Sequence, residues 1–127
     1  MVIPSEVRAA IREHALAEQP NEACGLVLLD GDSAVRYVPG RNVEASPYRF
    51  KLELDPTVWA DIGDSDLQQA VVHSHISSPA YPSRTDVENV GLWAAAPYLI
   101  YSIRNDDLAA FTIGKDGQIE KLPLRRP

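Results

Sequence analysis

The chain has 127 residues, 45% of them hydrophobic and 24% charged, enough for one soluble domain with one core and no need of disulfides. Its net charge of −6 argues against a nucleic-acid binder, which needs clustered Lys and Arg, and Lys121, Arg125 and Arg126 read as a solvated tail. No stretch approaches a membrane span, Met1 to Ser5 lacks the basic and apolar regions of a signal peptide, and the lone Cys24 cannot close an internal disulfide; together these predict a cytoplasmic protein.

Ser5 reads as the N-cap of a first helix, with Glu6 in its first turn, Val7, Ile11, Ala15 and Leu16 at helical spacing, and an end near Glu18 imposed by Pro20. His14 on this helix reads as an ordinary half-buried residue. Cys24 to Leu29 and Ala34 to Val38 form a hairpin around Asp30-Gly31-Asp32. Pro39 to Asn42 breaks the sheet, and the alternation of Tyr48, Phe50, Leu52 and Leu54 with Arg49, Lys51 and Glu53 predicts a third strand. Asp55-Pro56 starts a second helix carrying Val58, Trp59 and Ile62, which ends at Gly63 to Asp66. A strand ending in Val71 and Val72 follows, then a loop holding Pro79 and Pro82, then a helix capped by Ser83 and running to about Ala95 before Pro97. Tyr98 to Ile103 and Leu108 to Ile113 form a second hairpin around Arg104 to Asp107, and Gln118 to Leu122 a last strand. The order predicts one domain over residues 1–127, of α/β (α+β) class, with a single mixed sheet and helices packed on it.

The chemistry concentrates in Val71 to Asp86. His73 and His75 stand two apart at the end of a strand, where side chains share a face, and Asp86 follows in the first turn of a helix whose Ser83-x-x-Asp86 has the form of a capping box. Two imidazoles and a carboxylate suit one Zn²⁺ per chain and leave a fourth tetrahedral position for water. Each residue alone has a plain structural role, but two of the chain's three histidines fall at this spacing with an acid at loop distance. With a zinc nearby, Glu22, at the handover from first helix to first strand, becomes the leading general base. Cys24, two residues on, is more economically a small core residue than a fourth ligand or nucleophile.

The motif H-x-H, ten residues, Asp, with Ser three before the Asp, resembles that of the JAMM or MPN+ metalloproteases. His73, Ser74, His75, Ser83 and Asp86 match it position by position, and Asn21-Glu22-Ala23-Cys24-Gly25 resembles the segment that carries the family's general-base Glu. The chain departs from the family at Ile76, where Pro usually follows the second His. The resemblance covers nearly the whole chain and is greatest to the small bacterial members, which include peptidases of the Mec-like type that remove cysteine from a sulfur-carrier protein. It implies a cytidine-deaminase-like JAMM/MPN fold, His73, His75 and Asp86 as zinc ligands, Glu22 as base, and Ser83 as donor to the developing oxyanion in competition with its duty as helix cap. It also implies a possible substrate groove near Arg41, Asn42 and Glu44.

The implied reaction is zinc-assisted hydrolysis after the C-terminal glycine of a ubiquitin-like or sulfur-carrier protein with a di-glycine tail. The alternatives are an isopeptidase acting on lysine conjugates and a non-catalytic MPN-type scaffold. A zinc deaminase is disfavoured, because the chain has neither H-x-E nor C-x-x-C. Oligomeric state, homodimer included, stays open, as do the cellular metal and the effect of Ile76.

Overall fold

The computed structural model describes residues 1–127. In chain order its elements are α1 (Ser5–Glu18), β1 (Cys24–Asp30), β2 (Ser33–Pro39), β3 (Arg41–Asn42), β4 (Leu52–Glu53), α2 (Pro56–Gly63), β5 (Gln68–His75), α3 (Arg84–Glu88), a 3-10 turn at Gly91–Trp93, β6 (Pro97–Ser102), β7 (Asp107–Ile113) and β8 (Ile119–Leu122). Six strands form one sheet in the order β2-β1-β5-β6-β7-β8, and β3 pairs with β4 apart from it. Only β5 and β6 run parallel; every other neighbouring pair is antiparallel. No helix is long and apolar enough to cross a membrane.

Strand β1 and the second half of β5 are buried on both faces, which explains their near-continuous apolar runs. The alternation separates two cores. Val27, Leu29, Val72, Leu99 and Tyr101 meet Val7, Ile11 and Ala15 of α1 on one face. Leu26, Leu28, Val71, Ile100 and Phe111 meet Ile62 of α2 and Val90 on the other. Burial of each such large side chain contributes about 1.5–3 kcal/mol. Period two then places His73 and His75 on the Val71 face, away from α1, and Ser74 on the α1 face.

Several local expectations are corrected. Pro4, not Ser5, occupies the N-cap of α1, and the Ser5 hydroxyl points at Glu6 instead. Asp55 does cap α2 by position, but its carboxylate is held by Arg41 at 3.0 Å and makes no capping bond. The strand expected over Tyr48 to Leu54 shrinks to Leu52–Glu53, because the Asn42 side chain gathers the preceding residues into a loop. The helix expected to reach Ala95 stops at Glu88: the Asn89 side chain turns back to the Thr85 carbonyl, and Gly91 adopts φ +52°. Pro97 opens β6 rather than merely ending a helix. The C-terminus is not a free tail, since Arg125 bonds Asp32 at 2.7 Å and its backbone pairs with Met1 and Ile3.

Gly25 shows how tightly the start of β1 is packed. A Cβ there would sit 2.5 Å from the Val38 carbonyl oxygen and 2.6 Å from the Tyr37 hydroxyl. Gly25→Ala is therefore expected to lower unfolding free energy by about 2–3 kcal/mol in urea titrations, while Gly63→Ala, with nothing within 4 Å, should not.

Candidate metal centre

Three elements converge at the C-terminal end of β5. The strand supplies His73 and His75, whose ring centroids are 4.9 Å apart, and α3 supplies Asp86. One Asp86 oxygen, Oδ1, lies 3.1 Å from His73 Nε2; the other, Oδ2, lies 3.0 Å from His75 Nε2. The capping box fixes that carboxylate: Ser83 N–H donates to Asp86 Oδ2 at 2.9 Å, and Asp86 N–H donates to Ser83 Oγ at 3.1 Å. Glu22 approaches from the α1–β1 connection, with Oε1 4.0 Å from His73 Nε2. Glu22, His73, His75 and Asp86 are each no more than 3% exposed, so the acid of a short surface connection is buried here. The structure thus brings together all five residues singled out from the sequence.

The hydrogen bonding of the cluster is incomplete. Glu22 Oε1 and both ring nitrogens of His73 are buried without a hydrogen-bond partner; the short His73–Asp86 approach lacks the alignment for one. His75 Nδ1 faces the Pro79 carbonyl at 2.8 Å, an acceptor only, so Nδ1 must carry the proton. His75 Nε2 of a neutral ring then presents a lone pair to a carboxylate oxygen. That is repulsive unless a proton or a cation lies between them. A metal between them would take the lone pairs of His73 Nε2 and His75 Nε2 and relieve their approach to Asp86, and donors about 2.0–2.1 Å from a tetrahedral ion sit roughly 3.3 Å apart, close to the observed spacing. Glu22, His73 and His75 offer ligand atoms within 4.8 Å of one another. The donor set fits a divalent cation.

The charges agree with that arrangement. Burial alone would raise the Asp86 carboxyl, but His73 and His75 beside it and the Ser83 N–H hold it well below the usual carboxylate range. Burial pushes Glu22 up to about 9, helped by the Asp86 charge. Burial lowers His73, while for His75 it is outweighed by the hydrogen bonds to Asp86 and Pro79, which raise it.

Other contacts frame the cluster. The loop after His75 hangs on three carbonyls: Ser77 O accepts from Arg104, Ser78 O from Ser102 and Pro79 O from His75. Its path is therefore set without a proline at Ile76. Cys24 is buried, its thiol directed at the Arg41 carbonyl at 3.5 Å and, chiefly through burial, pushed up to about 12; it belongs to the packing and lies outside the cluster. Arg41 is engaged by Glu53 and Asp55, and Glu44 lies 3.9 Å from Arg49. Sequence reading missed Phe50, whose ring stacks on His73 with centroids 4.6 Å apart and planes 17° from parallel. Its alternation with Arg49 and Lys51 pointed to a strand. Ser74 matches the motif without a role read from the sequence, and its hydroxyl accepts from Ala23 N–H at 2.8 Å, which steadies the segment that carries Glu22.

A family model for prokaryotic homologs of the JAB domain matches residues 4–114. The chain belongs to this family. The CysO-cysteine peptidase of Mycobacterium tuberculosis is 33% identical to this JAB-family chain over 132 residues, covering 98% of the chain and 89% of that protein. The desampylase of Haloferax volcanii is 39% identical over 100 residues, covering 72% of the chain and 69% of that protein. Among solved structures, protein DSY2949 from Desulfitobacterium hafniense superposes with a TM-score of 0.79 at 29% identity, covering 100% of the chain and 94% of that protein. The six-stranded mixed sheet with its three helices is thus the JAB/MPN fold that the resemblance implied.

The raised Glu22 has a consequence for the metal-free protein. Its folded pKa of about 9 lies above the ordinary 4.5, so the native state holds a proton that the unfolded chain releases. Glu22 therefore subtracts stability as pH rises from about 4.5 toward 9. Glu22→Gln mimics the protonated form, and its stability advantage in chelator should grow from near zero at pH 5 to about 2–4 kcal/mol at pH 8, read from urea unfolding at each pH.

Proposed function

We propose that the chain is a zinc metallopeptidase that cuts the peptide bond after the C-terminal glycine of a ubiquitin-like sulfur-carrier protein and releases cysteine. The chain is a hydrolase of the JAMM class. The observation that carries the reading is the pair of imidazoles facing one carboxylate, with orphaned ring nitrogens, beside a buried and unpartnered Glu22. A non-catalytic scaffold would have no need to keep such atoms buried and unsatisfied. The M. tuberculosis relative, matched over nearly its whole length, supports the carrier substrate. The desampylase relative favours a second reading, a ubiquitin-like protein joined through lysine.

In this reading His73, His75 and Asp86 hold the zinc, within a single catalytic domain spanning residues 1–127. When bound, the ion supplies Lewis acidity, making water nucleophilic near neutral pH and polarising the scissile carbonyl. Pro79 O fixes the His75 ring so that Nε2 faces the site. Glu22 accepts a proton from the attacking water and passes it to the departing amine. The burial that raises Glu22 also keeps bulk water away from that proton. Ser83 donates a hydrogen bond from its hydroxyl to the developing oxyanion. Capping uses only a lone pair of Oγ, which accepts from Asp86 N–H, so the two duties expected to compete draw on different parts of the hydroxyl. The carrier's di-glycine tail is extended and narrow enough to reach a site this enclosed, and the cytoplasm is where we place the reaction.

The test is elemental analysis of the purified chain together with cleavage of a ubiquitin-like sulfur carrier bearing one added C-terminal cysteine. About one zinc per chain and chelator-sensitive release of cysteine is the expected result. Zinc without cleavage would move the substrate to lysine conjugates, and absence of both would overturn the enzyme. Glu22→Gln should retain zinc while kcat falls about 10²–10⁴-fold. His75→Ala and Asp86→Ala should lose zinc and turnover together. Ser83→Ala should lower kcat about 10²–10³-fold and cost about 1 kcal/mol of stability through the lost cap.

A further inference from the structure

We infer that Asn42 is a positioning residue, whose one carboxamide ties the loop 43–51 to the backbone of Glu22 while that loop lays Phe50 across His73. The inference rests on the roles proposed above for Glu22 and His73. Asn42 ends β3, outside the cluster, and its side chain is saturated. Oδ1 accepts from Glu44 N–H at 3.1 Å and Lys51 N–H at 3.0 Å; Nδ2 donates to Arg49 O at 3.1 Å and Glu22 O at 3.0 Å. A carboxamide is the only side chain of this length with two donors and two acceptor sites, and here every one is used.

The same loop grips Glu22 from its other side, since Glu22 N–H donates to Ser46 O at 2.9 Å. Both polar backbone groups of Glu22 are thereby bonded to one loop organised by Asn42. The loop returns through Phe50, which covers one face of a His73 side chain with 0% exposure, while Tyr98 meets the same ring edge-on with centroids 5.3 Å apart. With no hydrogen bond on either of its nitrogens, the His73 ring is oriented by these aromatic contacts. Asn42 thus acts on Glu22 directly and on His73 through Phe50, touching neither the reacting bond nor the metal.

The experiment compares the full chain with Asn42→Asp and Phe50→Leu. Asn42→Asp keeps both acceptor bonds that shape the loop and loses both donations, so it separates folding of the loop from the tie to Glu22. In the metal-free variant, amide hydrogen exchange by NMR should quicken at least tenfold at Glu22 and stay unchanged at Leu26 and Val72. In the zinc-loaded variant, kcat on the carrier–cysteine substrate should fall at least tenfold at constant KM. Phe50→Leu should release zinc to a chelator at least tenfold faster, and Phe50→Tyr, which restores a stacking ring, should return the wild-type rate. Unchanged exchange at Glu22, faster exchange with unchanged kcat, or exchange that rises throughout the sheet would each overturn the positioning role. If the wild-type chain binds zinc but leaves the carrier intact, the substrate reading fails alone, and Glu22 exchange and zinc release still decide the roles of Asn42 and Phe50.

Discussion

A carboxylate buried to 3% exposure cannot stand alone, and the need to neutralise Asp86 governs how this site is built. Its two oxygens are divided between two imidazoles, and one of them also takes a backbone N–H. That division sets the distance between His73 and His75, dictates that α3 begin where it does, and leaves the neighbouring Glu22 facing a negative charge. Two acids so close in a dry site do not both ionise unless positive charge enters between them. The cluster therefore has a built-in demand for a cation. Burial, with the Asp86 charge beside it, favours the protonated form of Glu22 in the absence of such a charge.

Both faces of the sheet carry a substantial core, one on α1 that includes Ile11, Leu99 and Tyr101 and one on α2 that includes Ile62, Val71 and Phe111. The α2 face gives up its strand-end positions to His73 and His75, and two irregular loops close over them. The loop after His75 is suspended from three carbonyls, and the loop after Asn42 from one carboxamide. Both loops are long and irregular, yet several of their backbone groups find partners within the protein. Precision in the centre comes from these side-chain-to-backbone bonds as much as from the strand.

The cluster of His73, His75 and Asp86 was readable because it obeys periodic rules. Strand period two paired His73 with His75, and the Ser83-x-x-Asp86 spacing announced a helix start, so both halves of the cluster followed from local sequence. The same rules failed where side chains capture backbone groups. Tyr48 to Leu54 alternates like a strand, but Asn42 draws Arg49 and Lys51 into a loop, so Phe50 turns toward His73. The helix after Ser83 has apolar residues enough to continue, yet Asn89 and the positive φ of Gly91 end it early. Glu22 had no local signature of burial at all. Its environment is made by residues from β3, the following loop and β5, which adjacency in sequence does not reveal.

The parallel pairing of β5 and β6 bears on how the centre comes into being. Parallel neighbours cannot be joined by a tight turn, so the chain must leave His75, pass through Asp86 and return before β6 can pair. Glu22 arrives only when β1 docks against the other side of β5. The cluster is thus made of groups from separate stretches of the chain that only the closed frame brings together. A cation held by this cluster would depend on the finished frame, whereas in small zinc modules the ion creates the fold.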